Sequence, residues 1–212
     1  MSCKLTRGNP VQCKDQIGGL KMIYILDTYC SNIEEKAEIS TDLIMTDADF
    51  VDWDIKGTTT TDKVTMFVYN LRPNLSSMTV NFNGDPATGT TFFTQTCSIT
   101  LQQLAPKIDG SAEYNFANQI KLAMYNRSQV FVRDMQDNIW MLGMNNGVDV
   151  TGGTMVTGAA KGDLTGYTIE FTAEEKLPPI LVNPTDGASE TGYPWDQLSD
   201  YASVEFITTA PA

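Results

Sequence analysis

The chain has 212 residues, of which 14 are basic and 26 acidic, so its formal net charge is −12. Histidine is absent, which removes the usual general base and the commonest metal ligand and argues against a hydrolase triad or a zinc enzyme. The acidic balance provides no electrostatic basis for nucleic-acid binding, no apolar run approaches the ~20 residues of a membrane-spanning helix, and the first residues lack the apolar core of a secretory signal.

Alternating apolar and polar residues fill the N-terminal half, and this period of two indicates strands. The pattern predicts strands in GLKMIYILDT, DFVDWDIKG, DKVTMFVYNL, SMTVNF and TFFTQTCSITLQQL. A dense turn cluster, NGDPATG, separates the last two. In the last segment Phe93, Cys97 and Ile99 share one face, and the threonines opposite them suit the exposed side of a sheet. Cys97 is therefore expected to be a small core residue.

A single helix is predicted, near residues 111–127. Phe116, Ile120 and Met124 recur at every fourth position and form a narrow apolar stripe over about four turns. Ser111 suits the N-cap, and Glu113 suits the positive end of the helix dipole. We expect this amphipathic helix to flank the β-structure.

Strand patterns resume after the helix. SQVFVRDM and NIWMLGM, separated by QDN, predict a hairpin with a tight turn. A long Gly/Thr-rich loop is expected from Asn145, and a strand in GYTIEF follows it. The predicted fold is mainly β (α+β): an antiparallel β-sandwich or small barrel with one flanking amphipathic helix and long loops. Residues 1–177 are expected to form the β-rich domain, and 178–212 a C-terminal arm that packs on its own domain or on a neighbour.

The Gly/Thr-rich loop is the main candidate site. It is not a phosphate-binding loop, because Ala159 stands where that motif needs Lys, and its apolar residues argue against a disordered linker. We expect it to lie extended and to add a strand to the sheet edge of another subunit; the alternative is a local hairpin within the subunit. The residues predicted for this inter-subunit loop are Val150, Gly152, Gly153, Met155, Val156, Gly158, Lys161 and Asp163.

Acidic residues crowd the stretch TDADFVDWD. Asp52 and Asp54 share one face of the predicted strand and are the candidates for a channel-facing acidic strand. Closely spaced carboxylates can bind Ca²⁺ or Mg²⁺, but Phe50 and Val51 interrupt the ligand spacing of an EF-hand, so no metal site is expected. Trp195, in the turn-rich C-terminal segment, is the candidate interface anchor.

Motifs for catalysis are missing from the sequence. We find no marked carboxylate pair, no nucleophile beside a base and no cofactor fingerprint, so we expect neither enzymatic activity nor a cofactor. The four cysteines match no zinc or redox spacing. Cys3 and Cys13 could pair, although nothing in the sequence requires it.

Two stretches resemble virion structural proteins of tailed bacteriophages. The opening CKLTRGNPVQCKDQIGGLKMIYI looks like the start of small virion proteins in phages of Bacteroidetes, including crAss-like phages. The run WMLGMNNGVDVTGGTMVTGAAKGDLTGYTIEFTAEEKLP is similar to their C-terminal part, and together the stretches cover roughly a third of the chain. The whole order of features, a β-rich domain with one helix, Gly/Thr loops and an acidic balance, resembles tail-tube and neck-ring proteins.

This resemblance implies a structural subunit of the virion. Copies of the chain would form homo-oligomeric rings of the tail tube or neck, next to other virion proteins, with no membrane partner. Such rings need heterologous contacts between copies, and an acidic channel would let genomic DNA pass without specific binding. The alternatives are a β-sandwich module that binds a receptor or carbohydrate through aromatics such as Tyr193 and Trp195, a head-decoration protein, and an enzyme that relies on Asp and Glu.

Overall fold

The computed structural model describes residues 17–26, 43–45, 64–102, 121, 123–182 and 204–207. Within them the chain forms eleven strands in two sheets. The strands are β1 Leu20–Leu26, β2 Ile44–Met45, β3 Val64–Asn70, β4 Ser77–Asp85, β5 Thr90–Leu101, β6 Val130–Asp134, β7 Ile139–Leu142, β8 Asp149–Val156, β9 Gly166–Glu175, β10 Ile180–Val182 and β11 Val204–Ile207. The prediction of a mainly β fold is confirmed.

The larger sheet has seven strands in the order β11-β3-β1-β6-β7-β10-β2. Only the pairs β10 with β2 and β11 with β3 are parallel. β1 lies inside this sheet, and its consecutive residues Ile23 and Tyr24 are both buried. Because consecutive side chains of a strand point to opposite faces, β1 is covered on both sides.

The β6–β7 hairpin confirms the tight turn predicted at QDN. The Asp134 carboxylate organises this turn: its Oδ1 accepts the backbone N–H of Gln136 at 2.8 Å and of Asn138 at 2.9 Å. Asp137 takes a positive φ of 66° and forms ion pairs with Lys21 at 2.8 Å and Arg133 at 2.9 Å. The turn is thus fixed by local hydrogen bonds and tied to β1.

The smaller sheet has four strands in the order β4-β5-β9-β8, and every neighbouring pair is antiparallel. β5 and β9 are its two inner strands. Their pairing places Cys97 opposite Phe171 and Ile99 opposite Ile169. The predicted strands in SMTVNF, TFFTQTCSITLQQL and GYTIEF are therefore all present; β4 and β9 extend beyond their patterns, and β5 ends at Leu101.

The hydrophobic core lies between the two sheets, which makes the protein a β-sandwich and not a closed barrel. Both sheets supply residues of one buried cluster, and Cys97 is fully buried at its centre, as predicted. Burial raises the pKa of the Cys97 thiol to about 12. The fully buried cluster comprises Leu20, Ile23, Leu71, Cys97, Ile99, Val130, Val132, Leu142, Val148, Tyr167, Ile169, Phe171 and Ala173.

The predicted helix is only partly within the described residues, where Lys121 and residues 123–125 are helical. Ser111, Glu113, Phe116 and Ile120 lie outside them. Met124, which its spacing places on the apolar stripe, is 61% exposed. Spacing defines which residues share a helix face, but it does not establish that another element covers that face.

Residues 178–212, predicted to be a C-terminal arm, contribute two strands to the larger sheet of their own chain. β10 lies between β7 and β2, and its Ile180 is completely buried. β11 lies at the opposite edge and pairs with β3. The short strand β2 was not predicted, because two residues cannot display a period of two. No helix among the described residues has the length and apolarity of a membrane span.

A buried polar cluster connects the β7–β8 turn to the smaller sheet. Glu175 and Gln95 are each only 2% exposed. Glu175 Oε1 accepts the backbone N–H of Asn145 at 3.0 Å and of Asn146 at 2.7 Å. Gln95 accepts the N–H of Gly143 at 3.1 Å. These bonds satisfy backbone donors where the chain crosses from one sheet to the other.

Candidate assembly surface

One face of the four-stranded sheet is polar and points away from the core. Residues of β5 and β9 alternate between the core cluster and this outward face. Hydroxyl groups dominate it, and some are bonded across strands: Thr151 and Thr172 hydroxyls lie 2.9 Å apart. We call this surface the threonine face; its main residues are Thr79, Asn81, Asn83, Phe92, Thr94, Thr96, Ser98, Asp149, Thr151, Thr154, Thr168, Glu170, Thr172 and Glu174.

The charges of this sheet are all negative. Its four strands contain Asp85, Asp149, Glu170, Glu174 and Glu175, but neither Lys nor Arg. Glu175 points into the core, and the other four carboxylates are exposed. The threonine face therefore presents mainly hydroxyls, amides and carboxylates; Asp149 is paired with Arg127 at 2.9 Å, and its own four strands contain no cation.

Both edges of the four-stranded sheet are open within the described residues. β4 pairs with β5 alone, and β8 pairs with β9 alone. Nearly every residue of β8 is exposed, including Met155 at 62%. Edge strands often carry Lys, Arg or Pro, which discourage pairing with a further strand, whereas β4 and β8 have none of these residues. β8 does contain a bulge between Val150 and Gly152, which also disfavours such pairing.

The predicted inter-subunit loop is replaced by a hairpin for most of its length. Val150, Gly152, Gly153, Met155 and Val156 all lie in β8, which pairs with β9 of the same chain. The loop was expected because glycines and threonines are common in turns, but main-chain pairing with β9 holds this sequence as a strand. Its second edge stays available, so contact with another subunit stays a prediction.

Gly158, Lys161 and Asp163 lie in the short connection between β8 and β9. Asp163 Oδ2 accepts the N–H of Ala160 at 2.7 Å and of Ala159 at 2.9 Å, and these bonds hold the pKa of its carboxyl below the usual value. Gly158 has a φ of +70°, which favours glycine. Asp163 thus has a role inside the loop, and Lys161 is exposed.

Two aromatic side chains are exposed where the β4–β5 hairpin extends beyond the core. Phe82 is 76% exposed on the core side of the sheet, whereas Phe92 is 41% exposed on the threonine face. Phe82 and its cross-strand partner Phe93 make an edge-to-face contact with ring centroids 5.3 Å apart. The alternation placed Phe93 on the same face as Cys97, and the exposure of Phe82 was not predicted. The adjacent turn cluster NGDPATG was the available signal, because it places Phe82 close to the hairpin end.

The remaining predicted residues, Asp52, Asp54 and Trp195, together with Cys3 and Cys13, lie outside the described residues. Within the residues that are described, His, Cys, Asp and Glu form no group that could hold a metal ion. Comparisons with protein-family models, with curated proteins and with solved structures found no match.

Proposed function

We propose that this protein is a structural subunit of a virion ring, in the tail tube or neck of a tailed phage, and that its threonine face lines the channel for DNA. The observation that carries the proposal is the charge of the four-stranded sheet, whose strands bear only acidic residues. The resemblance of the chain to phage ring proteins supplies the biological setting. No catalytic role is part of the proposal.

The threonine face has the chemistry that a DNA passage requires. Its carboxylates repel phosphates within about a Debye length, ~8 Å at physiological ionic strength. Its short hydroxyl side chains can be hydrated without offering the fixed cations on which specific and non-specific DNA binding depends. DNA can therefore move past such a surface without being retained. The ring would consist of copies of this chain and would contact other virion proteins above and below.

The location can be tested in particles of the phage that encodes the protein. Cryo-electron microscopy should place the subunit in a ring around the DNA path, with Thr96 and Glu170 toward the bore. A position on the outside of the head would support head decoration instead, and a position at a receptor-binding tip would support the binding module. Either result would contradict the proposed channel.

A matched pair of charge variants tests the electrostatic reasoning. Thr96→Lys places a cation on the threonine face, whereas Gln136→Lys adds the same charge at an exposed position of the β6–β7 turn in the other sheet. Assembled Thr96→Lys rings should retain double-stranded DNA at low salt in a sedimentation assay, and wild-type and Gln136→Lys rings should not. Equal retention by both variants would show that the threonine face has no special access to DNA.

A further inference from the structure

We infer that β8 of one copy adds antiparallel to β4 of the next copy, in a defined register that buries Phe82. This inference depends on the ring in the proposed function, and it specifies the partner as a second copy of this chain.

The first argument is strand direction. Three antiparallel pairings separate β4 from β8, so these two edge strands run in opposite directions. Copies related by rotation about a ring axis therefore bring β8 beside an antiparallel β4.

The second argument is the stagger of the two edges. Met155 of β8 pairs with Tyr167 of β9, which pairs with Leu101 of β5, so these three residues lie at the same height in the sheet. Met78 of β4 pairs with Cys97 of β5 and lies at the height of that residue. The next copy must therefore slide by four residues, the separation of positions 101 and 97, to bring Met78 opposite Met155. An even shift keeps each side chain on its face of the sheet. With this shift, every residue of β8 except the bulged Thr151 finds a partner among the nine residues of β4.

The third argument is the quality of the resulting cross-strand pairs. On the core side the shift places Val150 opposite Phe82 and Gly153 opposite Val80. On the threonine face it places Thr154 opposite Thr79 and Asp149 opposite Asn83, so no two like charges face each other. Apolar pairs and hydroxyl pairs both stabilise neighbouring strands.

The stagger also agrees with ring closure. A slide of four residues across four strands is one residue per strand, or about 3.3 Å for every ~4.8 Å of sheet width. The corresponding strand tilt is about 35°, at the lower end of the range for closed barrels. Sheet width and tilt are therefore mutually consistent with a closed ring of subunits.

Phe82 identifies the anchor of this joint. It lies on the core side of β4, yet it is 76% exposed in the single chain. The neighbouring β8 would cover it beside Val150, which itself packs against the core. A large aromatic side chain that becomes buried at the centre of an interface is a typical binding hot spot.

Cysteine pairs on the threonine face test the register, with Cys3, Cys13 and Cys30 replaced by serine throughout. Thr79→Cys with Thr154→Cys should form disulfides between copies, because the inferred register places these positions opposite each other. Within one chain β4 and β8 are three strand spacings apart, about 14 Å, which is too far for a disulfide. Mild oxidation should therefore give a ladder of covalent oligomers on a non-reducing gel. The control pair Asn81→Cys with Thr154→Cys is displaced by two residues and should give little cross-linking.

The outcomes separate this joint from the proposed function. Rings seen by electron microscopy without a ladder, or a ladder only from the displaced pair, would overturn the joint and leave the ring intact. A ladder in rings that lie away from the DNA path would support the joint and contradict the function. Phe82→Ser should reduce the oligomer fraction in mass photometry about tenfold or more, with an unchanged circular dichroism spectrum. Wild-type protein that stays monomeric at every concentration would contradict both.

Discussion

Replacement of Glu175 should destabilise the fold strongly, although this residue lies at the end of a strand. Its carboxylate is 2% exposed and accepts two backbone N–H groups, from Asn145 and Asn146. Glu175→Ala removes this acceptor, so the backbone N–H groups of Asn145 and Asn146 in the β7–β8 turn lose their hydrogen-bond partner. A hydrogen bond to a charged group contributes roughly 1.5–3 kcal/mol. Because Asn146 is exposed and its N–H can bind water instead, we expect a total loss of about 3 kcal/mol.

Two further variants make this prediction specific. Glu175→Gln retains an oxygen acceptor without the charge, so it should cost about 1 kcal/mol. Glu174→Ala changes the exposed neighbour and should stay within about 0.5 kcal/mol of wild type. Urea unfolding followed by tryptophan fluorescence gives the free energy of unfolding of each variant from its midpoint and slope. If Glu175→Ala and Glu174→Ala unfolded at the same midpoint, the turn would not depend on this carboxylate, and the reasoning would be refuted.

Three other predictions concern reactivity, pH and backbone conformation. Burial raises the pKa of Cys97 to about 12, so this thiol should resist alkylation at pH 8 in the folded protein and react in urea. Peptide mass mapping measures the labelling, and equal rates in both states would contradict the burial of Cys97. The hydrogen bond from Lys21 lowers the pKa of Asp137, so its stabilising contribution is present above pH 3.8 and lost as the pH falls through the lower folded-state value. Asp137→Asn should therefore cost at most about 1 kcal/mol at pH 7 and progressively less as the pH falls below 3.8, and a pH-independent difference would exclude the ion pair as its cause. Gly147 has a φ of +73°, and a Cβ added at this position would overlap the carbonyl oxygen of Arg127. Gly147→Ala should therefore lower the free energy of unfolding by more than about 1 kcal/mol. Gly162 has open space around it, so Gly162→Ala should leave the thermal unfolding temperature nearly unchanged.

Strand periodicity predicted which side chains of β5 lie on the threonine face. Alternation in TFFTQTCSITLQQL placed Cys97 and Ile99 on a buried face and the threonines opposite them, and the structure confirms this division for Thr94 and Thr96, whereas Thr100 is buried. Periodicity works here because side chains of a strand alternate strictly, so one buried residue determines the orientation of its neighbours. The negative character of this sheet could also be read from composition, since its strands contain no Lys or Arg.

Local sequence does not determine whether the Gly/Thr-rich segment forms a loop or a strand. Its composition is typical of loops, yet pairing with β9 makes it a strand. Main-chain hydrogen bonds to a partner ten or more residues away in sequence decide this state, and local propensity does not contain them. The exposure of Met124 has a related cause, because helical spacing carries no information about what covers a side chain.

The sequence by itself determined the strand periods, the alternation of faces and the sign of the charge, since each of these depends on residue type and local geometry. Only the tertiary structure decided that β4 and β8 are the edges of the smaller sheet, that they run in opposite directions, and that they are offset along the strands. The physical reason is that strand order and register are properties of long-range pairing, in which segments far apart in the chain compete for the same backbone donors and acceptors.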